Sequence, residues 1–390
     1  MTLGVRRAKR DGLILGNIRN HHGVVSGVAR SGRPRRLALL AVLAATLAVA
    51  AIGTPPAAAR GRGVVSRAVT FSVQNLNRSR LACATDGATY PIKGHLIGPS
   101  SALASRKKRQ RGRAATLYLH GLGFGEWFWH FTAVPGYDYA TAQAKRGHTS
   151  VVIDRLGYDS SGHPPGKQVC LGGHADIAHQ IVQELRSGSY VVDAGKAVKF
   201  KRLALVGHSA GAEMADIEAY SFRDVGALVV ASFSYSNLPR AQLALGPARD
   251  TCLAGGEPAE PGLPSGYAFY GQPAASDFQS IMFHDATPQV LAAATTLRNR
   301  DPCGDTESII RALLQQEANL KRIKVPVLVI CGTADALYSS LGCEQQRERY
   351  TRSRSVTLAR VRGVGHAVTL DRKAQSFRLK LGRWLSKRGF

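Results

Sequence analysis

Acidic residues are scarce in this chain. Only 26 Asp and Glu stand against 52 Lys and Arg in 390 residues, a formal net charge of +26. That imbalance raises the question of a nucleic-acid partner, and its distribution argues against one. Residues 1–36 alone hold nine Lys/Arg and one acidic residue, and the remaining excess is scattered along the chain. The one dense run, Arg106-Lys107-Lys108-Arg109-Gln110-Arg111-Gly112-Arg113, has no aromatic residue among its charges. It falls between two expected strands and reads as a solvated loop, with weak association to an anionic cell surface as the sharper alternative. No pair of cysteines has CxxC spacing, so no structural metal is expected. Nor is there an internal repeat. Long apolar runs are equally scarce: the single one, residues 37–53, falls short of the roughly 20 residues that span a bilayer comfortably.

What is there begins with that run. Arg33, Arg35 and Arg36 precede it, and Pro55-Pro56 followed by Ala57-Ala58-Ala59 come after it. A basic segment, an apolar segment and small residues suited to cleavage form the order of a secretory signal over residues 1–59. The expected location is therefore secreted or extracytoplasmic. Retention as an N-terminal membrane anchor through 37–53 is the alternative. All six cysteines lie beyond residue 59, and an even count in an oxidising compartment predicts disulfides. Proximity favours Cys331 with Cys343, and a shared insertion favours Cys252 with Cys303; a small buried core residue is the other reading of Cys331.

With 44% hydrophobic residues the chain can build a sizeable core. Residues 68–74 and 90–97 read as two opening, antiparallel strands. Strands then alternate with helices: strands at 115–119, 150–153, 203–206, 227–231, 325–330 and 356–361, helices at 140–146 and 175–186. Nearly continuous apolar strands between amphipathic helices predict an α/β fold with a mostly parallel sheet covered on both faces. The alternation breaks over 238–324, which is too long for a simple loop. This stretch, helical at 287–297 and 307–320, is expected to cover the carboxyl edge of the sheet, where open α/β sheets bind ligands. It divides a core of residues 60–237 and 325–390. Tyr267, Phe269, Tyr270, Phe278, Met282 and Phe283 supply either its apolar underside or its own small core.

The most informative stretch is Gly207-His208-Ser209-Ala210-Gly211, behind the apolar Leu203-Ala204-Leu205-Val206 and ahead of a helical sequence. A serine at a sharp strand-to-helix turn stands on an exposed tip, beside the free N–H groups of a helix N-terminus. A serine hydroxyl needs a base, and the base needs an acid to orient it. Asp335 follows the strand at 325–330 in Cys331-Gly332-Thr333-Ala334-Asp335. His366 follows the last strand in Arg362-Gly363-Val364-Gly365-His366. Ser209, Asp335 and His366 are thus the candidate nucleophile, acid and base, with Asp305 and Asp371 as the competing acids. The Ala210 N–H and, from His120-Gly121-Leu122-Gly123, the Leu122 N–H are the candidate oxyanion donors. His120 and His208 are expected to be structural, and Asp154 and Arg155 to hold loops together. Trp127, Phe128, Trp129 and Phe131 either line an acyl pocket or pack the core.

Taken together, His120-Gly121, Asp154-Arg155-Leu156-Gly157 with Ser160 and Ser161, Gly207 to Gly211, Gly332 to Asp335 and Gly365-His366 resemble the serine hydrolases of the α/β-hydrolase fold. The resemblance spans residues 115–390. It implies an eight-stranded, mainly parallel sheet, a helical lid at 238–324, hydrolytic chemistry and no cofactor. Ser209 departs from the branches of this fold that use an aspartate nucleophile. The expected substrate is a small-molecule or lipid-like carboxylic ester. Amidase, peptidase or acyl-transfer chemistry on the same residues is the nearest alternative. A non-catalytic secreted protein that binds anionic surfaces is the alternative from another class.

Overall fold

The computed structural model describes residues 63–104 and 113–390. The secretory signal or anchor and nearly all of the basic run therefore lie outside the described residues. Arg113, the last residue of that run, is not solvated: it is buried and donates a hydrogen bond to the Ala104 carbonyl.

The described chain opens with β1 (Val64–Gln74) and β2 (Thr89–Pro99), followed by a single turn, α1 (Ser100–Leu103). Then come β3 (Ala114–Leu119), α2 (Tyr139–Ala144), β4 (Ser150–Ile153), α3 (Leu171–Ser187), β5 (Val191–Val192), β6 (Arg202–His208), α4 (Ala210–Ser221) and β7 (Ala227–Ala231). Before the next strand of the main sheet the chain makes α5 (Pro239–Leu253), β8 (Tyr267–Ala268), α6 (Ala275–Met282), α7 (Pro288–Thr296), β9 (Asp301–Pro302) and α8 (Cys303–Leu320). It closes with β10 (Val327–Gly332), α9 (Ser340–Glu348), β11 (Val356–Val361) and α10 (Ala374–Ser386).

The main sheet has nine strands in the order β11-β10-β7-β6-β3-β4-β2-β1-β5. From β11 to β4 all neighbours are parallel, and β2, β1 and β5 add on as antiparallel pairs. The strand beyond the expected eight is β5, two residues on the edge, too short to leave a pattern in sequence. Strands β4, β6, β7 and β10 are buried along nearly their whole length, while β11, at the opposite edge, is half-buried. This is the burial expected of a parallel sheet with helices on both faces. Helices α3 and α4 pack together over one part of the sheet, and α2 packs against α10 elsewhere.

Two helices of the 238–324 segment, α5 and α6, are not predicted from sequence. The buried positions of α5 are Ala241, Ala244, Ala248 and Cys252, small residues that give little periodic contrast. Pro239 opens it at a position where the missing N–H costs nothing. All six cysteines pair: Cys83–Cys170, Cys252–Cys303 and Cys331–Cys343. Both expected pairs form, so Cys331 is not an unpaired core residue. Among the described residues, no helix is long and apolar enough to cross a membrane.

Candidate active site

The centre of the sheet dictates the site. Strand β6 pairs with β3 and β7 and ends at His208, so Ser209 emerges at the carboxyl edge. To turn directly into α4, Ser209 adopts φ 54° and ψ −126°. Such a backbone conformation costs a non-glycine residue on the order of 1–3 kcal/mol and persists only where the surroundings enforce it. Here the Ser209 N–H donates to Ala231 O at 2.9 Å, and the first turn of α4 crosses close behind β6. A Cβ on Gly207 would overlap the Gly211 carbonyl, and one on Gly211 would lie 2.5 Å from the carbonyl oxygens of Leu119 and His120. Only glycine fits at either position.

Asp335 lies just beyond β10. Its Oδ1 accepts from the N–H groups of Leu337 (2.8 Å) and Tyr338 (3.2 Å), and its Oδ2 lies 3.0 Å from His366 Nδ1. Both side chains are sealed from solvent. Asp305 and Asp371 are elsewhere: Asp305 pairs with Arg155 at 2.9 Å, and Asp371 accepts from Gly365 N at 2.5 Å. The His366 Nε2 is buried and has no hydrogen-bond partner among the described residues. His208, next to Ser209, joins the two segments. Its Nε2 lies 2.9 Å from His366 O, and the two rings are 4.7 Å apart. Burial, with His366 nearby, pushes the pKa of His208 well down, which suits a neutral structural group.

A cavity of about 380 Å³ opens beside Ser209. Leu122, Phe233, Leu245, Met282, Leu313 and Tyr338 form much of its apolar wall, and Ala210 borders it. Of the segment's aromatic candidates, Tyr270 reaches the cavity together with Met282. Phe278 instead packs on Phe124, and Phe269 lies under Arg298. Trp127, Phe128, Trp129 and Phe131 are core residues, with Phe128 stacked on His208 at 4.2 Å. None of the four lines the cavity.

Leu122 and Gly123 form a turn facing Ser209, and Gly123 has φ 72°. Its anchor is a residue that sequence reasoning missed. Gly123 N donates to Asp301 Oδ1 at 2.6 Å across 178 positions of sequence, and Tyr158 Oη donates to the same oxygen at 2.8 Å. Burial raises the Asp301 pKa to about 7. Behind this contact, Arg155 Nη2 donates to Tyr158 Oη at 2.6 Å, and Arg155 N donates to His120 Nε2 at 3.2 Å. Burial and Arg155 push the His120 pKa well down, so His120 is a neutral acceptor here. Burial works against the charge of Asp305 as well, but His174 and Arg155 hold its pKa below the ordinary value. Asp154 ties two loops, accepting from Glu126 N (2.8 Å) and Ser160 Oγ (2.7 Å).

Among the described residues one group has the donors for a metal ion: His179, Glu218 and Asp224, whose ligating atoms lie within 4.8 Å of one another. No member lines the cavity, and His179 Nδ1 is already 2.7 Å from Asp224 Oδ2.

Comparison with known proteins agrees with this architecture. Residues 117–377, more than half of the chain, match the model of the alpha/beta hydrolase family, and the chain belongs to that family. A search among curated proteins finds no match. Solved structures share the fold at low identity. A monoacylglycerol lipase of Paleococcus ferrophilus is 18% identical with a TM-score of 0.53, covering 72% of this chain and 95% of its own. A thermophilic esterase of Thermogutta terrifontis is 16% identical with a TM-score of 0.53, covering 82% and 100%. The enol-lactonase of Burkholderia xenovorans LB400 is 15% identical with a TM-score of 0.50, covering 76% and 97%. The protein is a hydrolase of this family.

Proposed function

We propose that this hydrolase cleaves carboxylic esters through an acyl-enzyme on Ser209. One observation carries the reading: Asp335 fixes His366 at Nδ1 and leaves its buried Nε2 without a partner, on a ring 4.7 Å from that of His208, the residue before Ser209. A ring oriented in this way accepts a proton at Nε2. Ser209 Oγ attacks the ester carbonyl as its proton passes to His366, and Asp335 stabilises the imidazolium. The N–H groups of Ala210 and Leu122 receive the oxyanion. His366 then returns the proton to the departing alcohol. Water, deprotonated by the same ring, releases the acid and regenerates Ser209. The helical segment 238–324 acts as the lid, since α5 and α8 supply walls of the cavity. Its apolar lining suits an acyl chain, and solved structures of similar fold include a lipase and an esterase. Three disulfides support a location outside the reducing cytosol.

The test is hydrolysis of a chain-length series of 4-nitrophenyl esters by the wild type and Ser209→Ala. The wild type is expected to turn over esters with an optimum at the chain length the cavity holds. The variant should lose roughly 10⁴- to 10⁶-fold in kcat. Equal rates in the two proteins would remove Ser209 as the nucleophile.

A further inference from the structure

The cavity wall is apolar except for a few groups, and most of those are accounted for. Ser234 donates to Gly342 O, Tyr270 Oη donates to Ala241 O, and Gln242 and Arg249 are exposed. Glu213 is different. It lies one helical turn beyond Ser209 on α4, lines the cavity and is 1% exposed. Gln316 Nε2 of α8 donates to its Oε1 at 2.8 Å, while Oε2 has no hydrogen-bond partner among the described residues. Gln316 Oε1 is also buried without a partner. Burial, reinforced by Asp216 and Asp305, holds the Glu213 pKa well above the usual carboxyl range. The side chain is therefore a neutral carboxyl, able to donate one hydrogen bond and to accept others. A purely hydrocarbon chain in the cavity would leave that capacity unused and strand a polar group away from water.

Resting on the ester-hydrolase reading above, we propose that Glu213 makes the cavity selective for acyl chains bearing an uncharged oxygen, a hydroxyl or an ether, a few carbons from the scissile carbonyl. One turn of helix separates Glu213 from Ser209, about 6 Å of rise and so roughly the reach of four or five chain carbons. Gln316 occupies Oε1, which leaves Oε2 for a ligand in the cavity that Glu213 lines. An ether is diagnostic because it accepts but cannot donate, so it requires the protonated carboxyl.

The experiment compares kcat/KM for three 4-nitrophenyl esters of equal chain length: heptanoate, 6-hydroxyhexanoate and 5-methoxypentanoate. The wild type is expected to favour both oxygenated esters about tenfold over heptanoate. Glu213→Leu should bring that ratio to one or below, whereas Glu213→Gln, which keeps an N–H donor, should retain much of it. If Glu213→Leu does not fold, the length-matched Glu213→Met takes its place. Preference of the wild type for heptanoate, or an unchanged ratio in the apolar variant, overturns the proposal while leaving the ester-hydrolase reading intact. Failure to hydrolyse any of the three overturns that reading, and this inference falls with it.

Discussion

Asp301 does not line the cavity, yet it anchors the turn that does. Its Oδ1 takes hydrogen bonds from Gly123 N and Tyr158 Oη, and its Oδ2 accepts from Tyr270 N at 3.3 Å. The first of these bonds pins the turn carrying the proposed oxyanion donor Leu122. Asp301→Ala would leave the Gly123 and Tyr270 N–H groups unpaired, at about 1–3 kcal/mol each, and free the turn to shift, whereas Tyr158 Oη keeps Asp305 Oδ2 as an acceptor at 3.3 Å. We expect kcat to fall about 10- to 100-fold, less than the roughly 100- to 1000-fold that a missing oxyanion donor costs, because the donor is displaced and not removed, with a smaller effect on KM. Asp301→Asn keeps an acceptor for Gly123 and should recover most of the rate. Steady-state kinetics on one ester decides the matter. If KM moves and kcat does not, Asp301 shapes the cavity rather than the oxyanion site. Ser209, Asp335 and His366 are legible in sequence as candidates because each follows a strand of the sheet in a short glycine-bearing motif. Asp301, Glu213 and Gln316 have no such signal. Their partners lie 178 and 103 positions away, and no local pattern encodes a contact across that distance.

At the scale of elements, the strands of the main sheet other than β5 are legible to within a few residues, and the helices of the 238–324 segment only in part. Long apolar strands announce themselves. The alanine-rich α5 and the eight-residue α6 do not, because their packing depends on what they lie against. α5 and α8 both wall the cavity, and Cys252–Cys303 joins the end of one to the start of the other. Closing a loop of 51 residues removes chain entropy worth about 4 kcal/mol by the usual polymer estimate. Replacing both cysteines by serine should therefore lower the melting temperature and, by loosening the two walls, raise KM for long-chain esters several-fold. Short-chain esters, which reach little of either helix, should be affected less. Unchanged melting together with an unchanged chain-length profile would show that the segment is held by packing alone.

Across the described residues, nine Asp and Glu side chains are buried, residue types that are rarely so. Burial raises Asp154 and Asp301 to about 7 and Asp216 to about 8, and pushes Glu213 and Glu218 well above the ordinary range. Burial also lowers the pKa of His120, His174 and His208. The two sets act on stability with opposite sign. The carboxyls bind protons in the fold that the unfolded chain has already released. The stability they contribute is complete below about pH 4 and is lost as pH rises through 7 to 8. The histidines are neutral in the fold, so their contribution is complete above about pH 6.5 and is lost as pH falls below it. Below that point the trends partly cancel. Between about pH 6.5 and 8 the carboxyls titrate, joined with the same sign by His95, whose pKa the hydrogen bond to Glu126 holds above the ordinary value, and each proton kept by the fold but lost by the unfolded chain costs about 1.4 kcal/mol per pH unit. Thermal unfolding followed across that window should show the melting temperature falling by several degrees. Asp216→Asn, which removes one of the titrating groups and leaves Tyr350 Oη and Tyr235 Oη an acceptor, should flatten the decline. A melting temperature that is level or rises from pH 6.5 to 8 would mean that these carboxyls are ionised inside the fold.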